Sequence, residues 1–335
     1  MRIVQLLLIS LVLVSCSEKK SKLGDKPFIF TEPQQIEQRE VKDLVILDSL
    51  NLDSQGIFTP RVLMKVKKGL IFLDRTSRKI IQTDDDLNIV STFEIPEGRG
   101  PGELGAIRRF DEEDGKLVFV DNGLNKLTHY SLEGEFLNEF SVSGFPIMEA
   151  TKIINDNRYL IASTLMTDSL YHLIDSEGNV LKRIQSSKEV DNPMMFTAQL
   201  KASDNNLYLA GYSEPLIKKY NLENGALIYS KEMIDSYETT ESYMSFSNGA
   251  GFTEDAIYGS IAITIENGLF YSARHHNGKK DYKFVDVYSE SSGDYQFSYV
   301  LDNFINNESL AVDGTYMFTI ETNSEGENLL MKYSF

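Results

Sequence analysis

Lys68-Gly69-Leu70-Ile71-Phe72-Leu73-Asp74 decides the fold. Four consecutive apolar residues follow a glycine turn and stop on an acid, the pattern of a short strand covered on both faces. It returns at Leu117-Val118-Phe119-Val120-Asp121, Tyr159-Leu160-Ile161-Ala162-Ser163, Leu207-Tyr208-Leu209-Ala210-Gly211, Leu269-Phe270-Tyr271-Ser272-Ala273 and Tyr316-Met317-Phe318-Thr319-Ile320. The starts, at 70, 117, 159, 207, 269 and 316, are 47, 42, 48, 62 and 47 residues apart. Each of the first five is followed by two more strands around a turn rich in Asp, Glu, Asn or Gly, at Asp84–Asn88, Leu132–Glu135, Ser176–Asn179, Leu222–Gly225 and Ser291–Asp294. Such residues supply the positive-φ positions of tight hairpins. A four-stranded unit repeating at this spacing is a propeller blade.

The expected fold is therefore all-β: a six-bladed β-propeller with four-stranded blades. Its innermost strands are expected near Val62–Val66, Ile107–Phe110, Glu149–Ile154, Ala198–Ala202, Ile257–Ile265 and Ser309–Val312. The 62-residue step implies an insertion over Asp235–Asp255, rich in Ser, Tyr, Gly and Thr. The sixth unit lacks a fourth strand, because the chain ends after Leu329–Phe335. The alternating segment Lys42–Leu50 has no unit of its own, and is expected to complete the last blade as its outer edge and so close the ring.

Outward from the repeats, the N-terminus has a different character. Met1-Arg2 gives a short positive start, and Ile3–Val14 is an apolar run broken only by Gln5 and Ser10. As a helix this run spans about 18 Å, short of the roughly 30 Å hydrocarbon core, so it is an export signal and not a membrane span. Leu13-Val14-Ser15-Cys16 resembles the lipobox of bacterial lipoproteins. That resemblance implies cleavage before Cys16, a diacylglycerol on its thiol and acylation of its new amine. An ordinary secretory signal with a chance cysteine is the competing reading. Residues 1–15 are thus expected as signal peptide and 16–27 as a lipidated, flexible tether (Ser17–Pro27 carries four lysines and no apolar period). Residues 28–335 are expected as one propeller domain.

Cys16 is the only cysteine, so an internal disulfide and a cysteine-ligated zinc site are excluded. The net charge of −17 repels phosphate backbones, so nucleic acid is not an expected partner, and membrane attachment rests on the acyl chains. Ser17-Glu18-Lys19-Lys20 lacks an acidic run after the cysteine, which points to an outer-membrane anchor facing the periplasm. A monomer is expected.

Between the first two units lies Gly98-Arg99-Gly100-Pro101-Gly102-Glu103-Leu104. It resembles the G-x-G-P-G-(E/Q)-(F/L) loop of NHL-repeat propellers and of TolB-like six-bladed propeller lipoproteins. Together with Cys16 and the repeats, the resemblance extends over the chain beyond the signal. It implies the propeller fold and an envelope location, and no single activity. The motif stands clearly once here, whereas NHL arrays repeat it. Physically, three glycines around a proline fix a tight crossing between sheets. A phosphate cradle would want a following Lys-Ser/Thr and a helix, and both are missing.

The candidate ligand-face residues are Arg75, Arg78, Arg99, Arg108, Arg109, Arg274, His275 and His276. Arg75 and Arg78 follow the first apolar strand, and Arg99, Arg108 and Arg109 lie in or after the glycine loop. Arg274-His275-His276-Asn277-Gly278-Lys279-Lys280 is expected as the matching connection in the fifth unit. In a closed ring the arginines can converge at one channel mouth, where their forks suit carboxylate, sulfate or acidic sugar. Scattered surface charge is the plain alternative. Adjacent histidines would need further ligands to hold a metal, and no metal or cofactor is expected. His129 and His172 fit packing or surface positions. Asp74 and Asp121 recur at one repeat position, which points to a turn-forming role.

No nucleophile elbow, zinc-protease motif or EF-hand loop occurs. The function expected is a non-enzymatic binding or scaffolding propeller, tethered in the envelope, for a protein, peptide or glycan. The alternative is a glycan lyase or hydrolase on the same scaffold, since carboxylates are abundant near every loop.

Overall fold

The computed structural model describes residues 34, 39–107, 109–113, 115–145, 147, 149–154, 158–163, 169–186, 198–203, 205–212, 215–234, 244–245, 251–252, 257–276 and 283–335. The signal peptide, Cys16 and the tether lie outside them, as does most of the 235–255 insertion.

The described chain is all β apart from a 3-10 turn at Asp53–Gln55. Two strands come first, β1 (Val41–Lys42) and β2 (Val45–Asn51). Antiparallel meanders follow. The first is β3 (Pro60–Val66), β4 (Gly69–Asp74), β5 (Lys79–Thr83) and β6 (Ile89–Glu94). The second is β7 (Arg109–Glu113), β8 (Lys116–Asp121), β9 (Lys126–Ser131) and β10 (Phe136–Ser141). The third is β11 (Glu149–Ile154), β12 (Arg158–Ala162), β13 (Ser169–Ile174) and β14 (Val180–Ser186). The fourth is β15 (Ala198–Ser203), β16 (Asn206–Gly211), β17 (Leu216–Asn221) and β18 (Leu227–Glu232). A small pair, β19 (Met244–Ser245) and β20 (Gly251–Phe252), sits within the expected insertion. The fifth meander is β21 (Ile257–Glu266), β22 (Leu269–His276), β23 (Lys283–Ser289) and β24 (Tyr295–Val300). The last is β25 (Phe304–Asp313), β26 (Tyr316–Thr322) and β27 (Asn328–Ser334).

The first strands of the meanders contact one another in the cyclic order β3, β7, β11, β15, β21, β25 and back to β3. A parallel bridge, Ser309 to Leu63, joins β25 to β3. This is a propeller-like arrangement. Its core lies between sheets: one cluster joins Ile71, Leu73 and Ile80 of the first meander to Phe110, Leu117 and Phe119 of the second. Another joins Leu160 and Leu173 of the third to Leu207 and Leu209 of the fourth. Because each sheet packs on two neighbours, the second strands are covered on both faces. Every residue of β4 is buried, as the unbroken apolar pattern requires. Each fully buried Leu or Phe contributes roughly 1.5–3 kcal/mol.

The hairpin turns behave as their acids dictate. Asp84 accepts the backbone N–H groups of Asp86 and Asn88 at 3.0 and 2.8 Å, and Asp175 does the same for Glu177 and Asn179 at 2.9 Å. These bonds hold both carboxyls below the ordinary aspartate value, the side-chain bond from the Asn contributing most. Gly134, at φ 87°, closes the β9–β10 turn against Phe93, and a Cβ there would come within 2.5 Å of the ring.

The N-terminal segment departs in detail from the single strand expected over 42–50. β2 pairs antiparallel with β27 and completes the last sheet as its outer strand. β1, however, pairs parallel with β24, the outer strand of the fifth sheet. The break at Asp43–Leu44 lets one short stretch stitch two sheets. Arg39 anchors it: Nε and Nη2 donate to Asp286 at 2.9 and 3.1 Å, and the guanidinium lies 4.2 Å from the Phe284 ring centroid.

Candidate functional site

The inner strands enclose a cavity of about 260 Å³. Val62–Lys65 of β3, Arg109–Glu112 of β7, Gln199–Lys201 of β15, Ala262–Glu266 of β21 and Glu308 with Leu310–Asp313 of β25 line it. Toward the beginning of these strands, Arg109 donates from Nη1 to Gln199 Oε1 at 3.3 Å and lies 3.5 Å from Glu308 Oε1. Toward their ends, Lys65 Nζ lies 3.0 Å from Asp313 and 3.3 Å from Asp85. Charged side chains therefore stand toward both ends of a cavity whose surface is mostly polar.

Two backbone features mark this lining. Val62 and Glu308 adopt left-handed φ values of 57° and 61°. Each lies in an irregularity of its strand, between Arg61 and Met64 and between Ile305 and Leu310. A β-branched valine rarely takes this conformation, and such strain persists where the surroundings over-determine it. Bulges re-aim side chains near functional sites. Here the bulge in β25 presents Glu308 to Arg109.

The expected arginine cluster is distributed differently. Among the candidate residues, Arg109 lines the channel. Arg78 instead holds the glycine loop: it donates to Ile95 O at 3.2 Å, Pro96 O at 3.2 Å and Leu104 O at 2.6 Å. Arg75 and Arg99 are exposed and do not line the cavity. Arg274 is buried in the fifth sheet, 3.6 Å from Asp286. His275 and His276 stand on β22, opposite Tyr258 and Ile257, so the strand runs further than the expected connection; their side chains lie outside the described residues. Arg108 also lies outside them. Among the described residues no three His, Cys, Asp or Glu side chains are grouped to hold a metal ion.

The glycine loop is a crossing tied from every side. Glu103 Oε2 accepts the Gly100 N–H at 2.8 Å, and a Cβ on Gly98 would lie 1.9 Å from that carboxylate oxygen. Gly102 N–H donates to Glu139 at 3.1 Å, Lys126 pairs with Glu139 at 2.7 Å, and Tyr130 OH donates to Gly102 O. The amides of its three glycines are all bound by protein groups. Asp74 and Asp121 likewise hold turns, accepting from Thr59 and from Gly105 and Leu124.

His129 and His172 are both buried in strands. His129 Nε2 lies 2.9 Å from Tyr159 OH, and the His172 ring stacks on Phe145 at 4.1 Å. Burial lowers both imidazoles, His172 to about 4, with the Arg183 charge adding to it. Buried Glu321 accepts from Thr319 and Tyr333, and burial raises its carboxyl. None of these groups lines the cavity.

Lys65, Gln199, Lys201, Glu266, Glu308 and Asp313 were not among the sequence candidates. Their signal was present: Lys65 and Lys201 are charged residues inside the expected innermost strands, and Glu308 and Asp313 flank another.

No family model and no curated protein matches the sequence. Solved structures match its fold. A candidate exported protein from Bacteroides fragilis NCTC 9343 superposes with a TM-score of 0.62 at 13% identity, over 92% of this chain and 99% of that one. A member of the DUF4221 family from Bacteroides vulgatus ATCC 8482 gives 0.61 at 11%, over 89% and 99%. Virginiamycin B lyase from Staphylococcus aureus, an inactive variant with quinupristin, gives 0.51 at 13%, over 86% and 98%. At these identities the likeness concerns the fold alone, which is β-propeller-like.

Proposed function

We propose that this protein is an envelope lipoprotein whose six-bladed propeller binds a protein, peptide or glycan at its channel without transforming it. The cyclic order of the first strands and the hydrophobic clusters shared by consecutive meanders support six blades. The β25–β3 bridge then joins two blades within one eight-stranded sheet. The lipobox tetrad ending at Cys16 supports the anchor, and the Gly98–Leu104 loop supports kinship with TolB-like and NHL-like propellers. Likeness to a candidate exported protein fits an envelope location, with the outer membrane and its periplasmic face as the site we infer.

The observation that carries the binding reading is the channel lining. Arg109, Glu308 and Gln199 at one end, and Lys65, Lys201, Glu112, Glu266 and Asp313 toward the other, offer hydrogen-bond donors and acceptors and charges of both signs. Such a surface suits an extended polar chain held by hydrogen bonds and ion pairs. The described lining offers one hydroxyl, Thr264, and no histidine or cysteine to activate a nucleophile. Pull-down from envelope extracts with soluble Ser17–Phe335, alongside a polysaccharide panel, tests this. A ligand retained by the native chain and lost with Arg109→Glu is expected. Glycan turnover abolished by Glu308→Gln would replace binding with catalysis. Cys16→Ala is expected to abolish fatty-acid labelling, and persistent labelling would refute the anchor.

A further inference from the structure

The outer strands of the sheets are not alike. β6 exposes Val90, β10 exposes Phe136 and Leu137, β14 exposes Val180 and Leu181, and β18 exposes Ile228. One or two exposed apolar residues per strand need no explanation. At the junction of the fifth and last sheets the count rises. Val41, Val45, Ile46, Leu47, Val300 and Phe335 are each between 41% and 58% exposed. Registers place them on adjoining outer strands: Lys42 opposite Tyr299 brings β1 beside Val300, and Val45 opposite Ser334 brings β2 beside Phe335. Phe335 itself stacks on Tyr299 at 5.4 Å, spanning the junction.

The described chain begins beside the same outer strand, at the end of β24 away from Val300. Gln34 donates to Gly293 O at 2.7 Å, Arg39 is locked to Asp286, and Ser298 N–H donates to Glu40 O at 2.8 Å. Residues 17–33 separate this rim from Cys16. A flexible chain of that length has an end-to-end distance of about 23 Å. An anchored propeller would therefore meet the bilayer at this rim at high effective concentration. Lys19, Lys20, Lys22, Lys26 and Lys42 balance Glu18, Asp25, Glu32, Asp43 and Asp48 over this tether and rim, so the contact rests on apolar burial and the nearby acyl chains, not on charge.

We propose that the apolar rim of Val41, Val45, Ile46, Leu47, Val300 and Phe335 rests on the lipid surface that carries the anchor. The propeller then stands on edge, its channel axis parallel to the membrane and both mouths open. This rests on the lipoprotein reading, and the test separates the two. The chain beginning at Cys16 is coupled through that thiol to a maleimide lipid in vesicles of phosphatidylethanolamine and phosphatidylglycerol at 3:1. Attachment then does not depend on processing in a cell. The protein has no tryptophan, so Ile46→Trp and, separately, Leu137→Trp on β10 give uncontested reporters. With brominated lipids, quenching at position 46 is expected to be at least twice that at 137. Adding Val45→Asp and Leu47→Asp is expected to reduce it to the level at 137 with the melting temperature retained. Equal quenching at the two positions, or quenching unmoved by the aspartates, overturns the proposal. So does a concentration-dependent dimer that shields the reporter at position 46 without vesicles, which would make a second copy the occupant. Quenching at 46 in vesicles while the unaltered chain takes up no fatty-acid label in cells would strike the anchor alone.

Discussion

Two junctions hold neighbouring sheets together by opposite means. Between the first and second meanders the chain crosses directly, through Gly98–Leu104, and ties the crossing with Arg78, Glu103, Lys126 and Glu139. These groups lie within a few tens of residues of the loop. Between the fifth and last meanders the N-terminal segment bridges two outer edges, and its central ion pair, Arg39 to Asp286, joins residues 247 apart. The first junction forms with its local chain; the second forms only when the ring closes. The comparison teaches that both junctions rest on buried aspartates, Asp121 and Asp286, but only the second recruits its cation from the far end of the chain.

The largest expected effect lies at the clasp. Asp286 is fully buried against Arg39, Arg274 and Ser298, the last at 2.6 Å. Asp286→Ala removes the carboxylate that two guanidiniums share and is expected to cost about 3–5 kcal/mol in urea unfolding. A loss under about 1 kcal/mol would put the clasp on a par with surface pairs and break the contrast. At the glycine crossing, Arg78→Ala removes a charged donor from three carbonyls, for an expected loss of roughly 1.5–3 kcal/mol. If it cost more than Asp286→Ala, the ranking of the two junctions would invert.

A pH experiment separates both from the core. The folded protein keeps His172 neutral down to about pH 4, whereas the unfolded chain takes up that proton near 6.5. Stability from this group is complete above the unfolded value and is lost as pH falls from 6.5 through 4. Between about pH 7 and 5 the loss amounts to about 2 kcal/mol. In His172→Gln that acid limb should flatten by the same amount; an unchanged profile would place the loss elsewhere. The smallest effect is expected in the channel. Glu308→Asn suits the left-handed backbone and should change stability by under about 1 kcal/mol, while removing the partner of Arg109 and weakening ligand capture. A large destabilisation would make Glu308 a structural residue.

The meander pattern was legible because it is local. Strands such as Leu70–Asp74 and turns such as Asp84–Asn88 carry their instructions within five residues, and the last sheet's missing strand pointed to the N-terminus by subtraction. The extra pairing of Val41–Lys42 with β24 was not legible, since two residues carry no periodicity. The partnership of Arg39 with Asp286 needs the ring to bring distant strands together. The channel face was half legible: Arg109 was named, but Arg78 and Arg274 look the same in sequence and are spent on carbonyls and a buried aspartate. An arginine's role depends on which acceptors the fold places beside it.

The pairing of β2 with β27 joins the first described strands of the chain to its last sheet, and the expected closure of the ring rests on it. Val45 and Ser334 stand opposite each other across β2 and β27. Antiparallel partners lie about 4.5–5.5 Å apart at Cα, within reach of a disulfide. In a Cys16→Ala chain, Val45→Cys with Ser334→Cys should form an intramolecular disulfide in most molecules under mild oxidation, read by mass under non-reducing conditions. Monomers that keep both thiols free, or that cross-link only between chains, would contradict closure of the ring by its N-terminus.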